Sequence, residues 1–145
     1  MAILLGLDIS ETRIGVALSD ALGAAAHPLC TLTRKNRQVD LIAISDLISI
    51  HEVERVVIGL PISLDGSIGA QARKVENFAR RLANVIDIPI EFQDERFTTA
   101  EAEEILRELN KSTEAQKELI DEVAAVIILN DYLNSNRTMD STEPT

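Results

Sequence analysis

Apolar positions come as short runs early in the chain and at helical spacing later. Residues 2–8 form an apolar run that predicts a buried strand. Ile14-Gly15-Val16-Ala17-Leu18-Ser19 predicts a second. Ser10-Glu11-Thr12-Arg13 between them is short enough for a hairpin turn. A third strand is expected from Pro28 to Thr33, with Pro28 at its start, where a missing N–H is tolerated. Residues 38–51 predict a helix with dense apolar positions, and Val53 to Leu60 a strand stopped by Pro61. Residues 70–85 place Val75, Phe78, Ala79 and Leu82 on one helical face. Ile88 to Phe92 predicts the next strand. Thr98 with Glu101 forms a capping box ahead of Ala102, Ile105, Leu106 and Leu109. A second box, Thr113 with Gln116, opens a helix to about Leu133 whose middle is apolar nearly all round and therefore buried. The order β-β-β-α-β-α-β-α-α implies an α/β fold: a mixed sheet with helices on its faces.

At 145 residues one domain is expected, over residues 1–133, with 134–145 a polar, flexible C-terminal tail. The core must be aliphatic, because only 3% of residues are aromatic and none is Trp. That composition argues against binding single strands by base stacking. A net charge of −10 argues against a generic polyanion binder. The charge is uneven. Residues 1–93 hold 9 basic and 11 acidic side chains, and residues 94–145 hold 5 and 13. A nucleic-acid function then requires a local basic patch or metal ions to offset the acidic third. The single Cys30 fits a reducing compartment and reads as a small buried hydrophobe. No signal segment or membrane span is evident, so a cytoplasmic protein with no membrane partner is expected. His27 and His51 are not spaced as metal ligands.

Three acidic groups stand where packing alone would not put them. Asp8 ends the first buried strand, Asp94 and Glu95 end the last one, and Asp121 lies at the entrance to the apolar part of the last helix. A carboxylate beside a buried run is costly unless paired, hydrogen-bonded or metal-bound. Oxygen ligands of this kind suit Mg²⁺ or Mn²⁺, and two such ions clamp the attacking and leaving oxygens of a phosphodiester. Each acid alone also has an ordinary reading, as a turn residue or a first-turn helix carboxylate. Arg34, Lys35 and Arg37 share a loop, Arg73 and Lys74 share a helix, and Arg96 follows Glu95. These six could contact phosphates, or could be plain solvated surface. The Gly59-Leu60-Pro61 turn and the loop Asp65 to Gly69 precede a helix N-terminus, where backbone N–H groups can hold a phosphate.

Four blocks resemble the YqgF/RuvX family, whose members are proposed to be pre-16S rRNA nucleases and Holliday junction resolvases. They are Gly6-Leu7-Asp8-Ile9-Ser10 running on through Asp20, Val57-Ile58-Gly59-Leu60-Pro61 with Asp65-Gly66-Ser67, Asp94-Glu95-Arg96-Phe97-Thr98-Thr99, and Ile120-Asp121-Glu122-Val123-Ala124-Ala125. The blocks lie in order from about residue 3 to 133. The resemblance implies an RNase H-like fold: a five-stranded mixed sheet, three antiparallel strands and then two reached by helical crossovers, with helices on both faces. It implies a two-metal-ion nuclease with Asp8, Glu95 and Asp121 on the positions proposed to bind metal. Processing of the 5′ end of an rRNA precursor in ribosome biogenesis is favoured, with ribosomal assembly intermediates as partners. Cleavage of branched DNA comes second, and a non-catalytic interaction module third. Ser10 and Glu11 depart from the family pattern after the first Asp, and Glu11 adds negative charge near the expected site.

Overall fold

The computed structural model describes residues 3–22, 25–62, 65–95, 108 and 114–142, with side chains of the last helix described from 120 to 135. The strands are β1 (Leu4–Ile9), β2 (Arg13–Ser19), β3 (Ala26–Thr33), β4 (Arg55–Leu60) and β5 (Ile90–Asp94). The helices are α1 (Arg37–His51), α2 (Ala70–Ala83) and α3 (Glu114–Thr142). The expected fold class is observed. The five strands lie in the order β3-β2-β1-β4-β5, antiparallel among β1, β2 and β3 and parallel from β1 to β4 to β5.

Strand alternation divides the sheet into two unequal faces. Leu5, Leu7, Ile9, Ile14, Val16 and Ile58 pack with Ile44 of α1 and Val75, Phe78 and Leu82 of α2. On the other face Leu4, Ala17 and Val57 pack with Ala125, Ile128, Leu129 and Tyr132 of α3. The helix α3 lies across β1, β2 and β3 and reaches β4 and β5. It is fastened by Ala26 N–H to Asn130 Oδ1 (3.0 Å) and by Thr31 Oγ1–H to Glu122 Oε2 (3.0 Å).

Several boundaries move from the sequence-based expectation. The first strand extends one residue past Asp8, so Asp8 sits inside the sheet rather than at its end. The strand β5 begins two residues later than expected and takes in Asp94, which leaves Glu95 immediately beyond it. The last helix does not stop near Leu133. It continues to Thr142, because no Gly or Pro intervenes before Pro144. The helix expected after Thr98 and its capping box fall outside the described residues, as does Arg96. No helix among the described residues is long and apolar enough to cross a membrane.

Candidate active site

The turn after Asp8 is closed by Ser10. Its N–H donates to Arg13 O (2.9 Å), its hydroxyl donates to the same carbonyl (2.8 Å), and its oxygen accepts from Arg13 N–H (3.1 Å). A serine side chain thus supplies the turn contacts, and no glycine is required there. Glu11 is exposed and paired with Lys74 Nζ at 2.9 Å. Its carboxyl is held below the usual range by that lysine. The extra charge expected near the acids is therefore matched by a cation.

Asp8 stands between two glycines. In the β1–β2 ladder its partner is Gly15. In the β1–β4 ladder Leu7 pairs with Ile58, and the same register carried one step further puts Gly59 beside Asp8. A Cβ on Gly15 would collide with the Asp121 backbone carbonyl and lie 2.9 Å from Asp121 Cβ. A Cβ on Gly59 would collide with Ile128 and lie 2.8 Å from Glu95 Oε1. Each missing side chain makes room for one acid: Asp121 above Gly15, Glu95 above Gly59, with Asp8 between. Glu95 is further tethered by its N–H to Leu60 O (3.2 Å).

The electrostatics follow from that crowding. Burial pushes the Asp8 carboxyl up to about 6, and the Asp121 charge adds to the effect. Burial pushes Glu95 up to about 7, with further repulsion from Asp8 and then Asp94. Asp121 is offset by Arg13, whose Nε lies 2.7 Å from Oδ2, a close charge contact that lacks hydrogen-bond alignment. Among the described residues no three His, Cys, Asp or Glu side chains are drawn tightly enough to form a closed metal cluster. Asp8 nevertheless feels Asp121, and Glu95 feels Asp8, so the three acids act as one electrostatic group. An all-oxygen set of partly buried, repelling carboxylates fits a hard divalent cation, which would relieve the repulsion.

One residue in this region, Asp131, is missed by the sequence reading, and Asp94 is found beside it. Asp94 and Asp131 join Glu95 around a hollow of about 40 Å³ between the end of β5 and α3. Burial raises the Asp131 carboxyl above its ordinary range. Its sequence neighbours Ile128, Leu129, Tyr132 and Leu133 are apolar, so a carboxylate at this position interrupts a buried helical stretch, the same kind of signal that marks Asp121. Gly15 and Gly59 did carry a signal: a glycine inside an apolar strand announces a close approach.

The basic candidates divide. Arg34 is committed to the fold: its Nε meets the buried Asp40 at 3.2 Å, its Nη1 donates to Ser10 O (2.9 Å), and its guanidinium lies 5.2 Å from the centre of the Phe78 ring. Lys35 gives its backbone N–H to Asp40 (3.1 Å) and leaves its side chain exposed. Arg37, Arg73 and Lys74 are exposed, Lys74 being the one paired with Glu11. The loop before α2 folds on itself, with Ser67 N–H and hydroxyl donating to Asp65.

Comparison with known proteins gives a consistent result. The family model RuvX, described as Holliday junction resolvase, matches residues 2–135. A protein of Crocosphaera subtropica named "Putative pre-16S rRNA nuclease" is 44% identical, covering 92% of this chain and 93% of its own. A protein of Moorella thermoacetica with the same name is 44% identical, covering 90% of this chain and 94% of its own. Among solved structures, Thermus thermophilus RuvC in complex with a Holliday junction substrate is similar, with a TM-score of 0.62 and 11% identity. It covers 94% of this chain and 96% of that one. The fowlpox virus Holliday junction resolvase is similar at a TM-score of 0.55 and 11% identity, covering 92% of this chain and 99% of that one.

Proposed function

The chain belongs to the RuvX family, and from that premise we propose that it is a nuclease hydrolysing phosphodiester bonds in a structured nucleic acid. The observation that carries the reading is the glycine-flanked Asp8, with Asp121 and Glu95 seated over the two glycines. Partly buried acids, with Asp8 repelled by Asp121 and Glu95 by Asp8, weaken a fold, so their placement speaks for chemistry. Asp8, Glu95 and Asp121 would hold Mg²⁺ or Mn²⁺. When bound, the ions would activate water and neutralise charge developing on the phosphate.

The residues of the chain have defined tasks in this reading. Asp8, inside the central strand, is the most rigidly placed acid. Asp121 rides on α3, where Arg13 holds its side chain in place. Glu95 lies just past an edge strand, and burial pushes its carboxyl up to about 7, above that of Asp8 at about 6. It therefore binds a proton readily near neutrality whenever no cation competes for it. No histidine is placed to act as a general base in this scheme.

The names of the relatives favour an rRNA precursor, trimmed at the 5′ end of its 16S portion in ribosome biogenesis, with ribosomal assembly intermediates as partners. Branched DNA is the second substrate, favoured by the family description and by the fold shared with junction resolvases. The single free Cys30 fits a reducing compartment, which supports a cytoplasmic location. The deciding experiment sets labelled rRNA precursor beside a labelled four-way DNA junction, with Mg²⁺, Mn²⁺ or EDTA. Cleavage of the precursor alone, lost in EDTA, is the expected outcome. Cleavage of the junction alone would transfer the function to recombination. Cleavage of neither would leave a binding module on this fold.

A further inference from the structure

On the face of the sheet opposite α3, the start of α1 and the outer side of α2 enclose a hollow of about 390 Å³. It is lined by Arg37, Asn77, Arg80, Arg81 and Asn84, three cations and two amides with no carboxylate. In a chain of net charge −10 that lining is a local excess of positive charge, and the neighbouring hollow bounded by Arg34, Arg37, Lys74 and Arg81 extends it. Among the described residues no ion pair engages Arg37, Arg80 or Arg81. Asn77 Oδ1 accepts from Arg80 Nη1 (2.9 Å) and orients that guanidinium.

Helix electrostatics account for part of this arrangement only. Arg80 and Arg81 occupy the last turn of α2, where the helix dipole favours cations. Arg37 is the first residue of α1, where the dipole disfavours one. Its charge is placed against the local field and toward the hollow. The hollow also continues toward the acids. A second depression shares Arg37 with it and is lined by Lys35, Lys74 and Glu11 at the β1–β2 turn, three residues after Asp8. The two carboxylates there are already matched, Glu11 by Lys74 and Asp40 by Arg34.

We propose that this hollow is a second phosphate-backbone site, gripping the nucleic acid on the far side of the sheet from the three acids. The proposal rests on the nuclease reading above and adds where the substrate is held beyond the scissile bond. From Lys74 to Asn84 the helix covers about 15 Å. Successive phosphates of one duplex strand rise about 3.4 Å, so the track spans about four of them. Guanidinium forks and amide N–H groups bind phosphate oxygens without reading bases, so the site accepts any sequence and selects for length and shape. A substrate must then extend past the β1–β2 turn to be held at both points, which favours long or branched nucleic acids over short oligonucleotides.

The test compares the parent chain with R37A/R80A/R81A by fluorescence anisotropy, on a labelled four-way DNA junction and a labelled RNA duplex, between 50 and 200 mM KCl. Lost counterion release should cut the slope of log affinity against log salt by about 2–3, with affinity at the low-salt end falling more than about tenfold. R37K/R80K/R81K should restore most of the slope, because charge is retained. If the triple alanine variant melts early, R37A alone serves, with an expected slope change of about 1. A parent that binds and a variant with unchanged affinity and slope would overturn the hollow alone. A parent that binds neither nucleic acid would overturn the nuclease reading and this proposal together.

Discussion

Along β1, Leu5, Leu7 and Ile9 turn toward α1 and α2 and are buried among large aliphatic side chains. Leu4, Gly6 and Asp8 alternate with them and turn toward α3. The same alternation runs through β2, with Ile14 and Val16 on the first side and Gly15 and Ala17 on the second. One face is filled with bulk, and the other is thinned until a helix backbone can nearly touch the sheet. Bulk gives the first face its stability. Thinness gives the second its capacity to crowd charges. A strand two residues out of phase would keep this division, whereas a one-residue slip would exchange the two faces.

The largest effect expected from breaking the second face is chemical. Asp8→Asn should lower cleavage by more than about 100-fold, since even residues that merely support metal ligands cost 10–100-fold. Its circular dichroism should match the parent. Undiminished cleavage by the purified variant would remove Asp8 from the site.

Next come paired substitutions on the two faces. Leu5→Ala opens a cavity in the bulky face and should cost about 2–5 kcal/mol in urea unfolding. Gly15→Ala overfills the thin face and should cost about 1–3 kcal/mol. The pair separates in activity measured well below each melting temperature. Leu5→Ala should retain cleavage, while Gly15→Ala should lose it, because the new methyl group displaces Asp121. Equal activity in the two variants would show that the thin face has no special tie to catalysis.

The third effect is on pH dependence without metal. Asp8 and Glu95 have folded pKa values raised to about 6 and about 7, above their ordinary 3.8 and 4.5. Both are protonated in either state at the acid end, so they carry no penalty there. As pH rises through 4 to 7 the unfolded chain releases its protons first, and the folded state loses relative stability. Asp8→Asn should therefore raise stability by up to about 2–3 kcal/mol at pH 8 in EDTA and change little near pH 4. Thermal melts across that range check it. A pH-independent difference would mean that the crowding is absent.

The sequence reading placed the bulky face well, because runs such as Leu4-Leu5-Gly6-Leu7 and Arg55-Val56-Val57-Ile58 have few other uses. It also singled out the three acids, but by position in the strands rather than by neighbourhood. What it missed depends on tertiary approach. The role of Arg34 was illegible, because nothing local shows that Asp40 is buried four residues into α1. The Arg37–Arg81 hollow joins residues 44 positions apart, which only packing reveals. The length of α3 was underestimated, because the polar residues after Leu133 resemble a tail until one notes the lack of a helix breaker.

The smallest effect tests that division of the basic residues. Arg34→Ala strands the buried Asp40 and should cost about 1–3 kcal/mol. Lys74→Ala breaks a pair between exposed side chains and should leave the melting temperature unchanged. Similar melting temperatures for the two variants would put Arg34 back among the free surface cations.

The thin face also has a history within each molecule's synthesis. A ribosome makes β1 and β2 first and α3 more than 90 residues later, and domains assemble from the N-terminal side as the chain emerges. Until α3 arrives, the slots at Gly6, Gly15 and Gly59 stand open, with Leu4, Ala17 and Val57 facing water beside Asp8. The nascent sheet is then sticky on the side of the proposed active site, yet it lacks Asp121. The proposed site is left incomplete by the order of translation, and one late helix both covers the adhesive surface and brings the third acid.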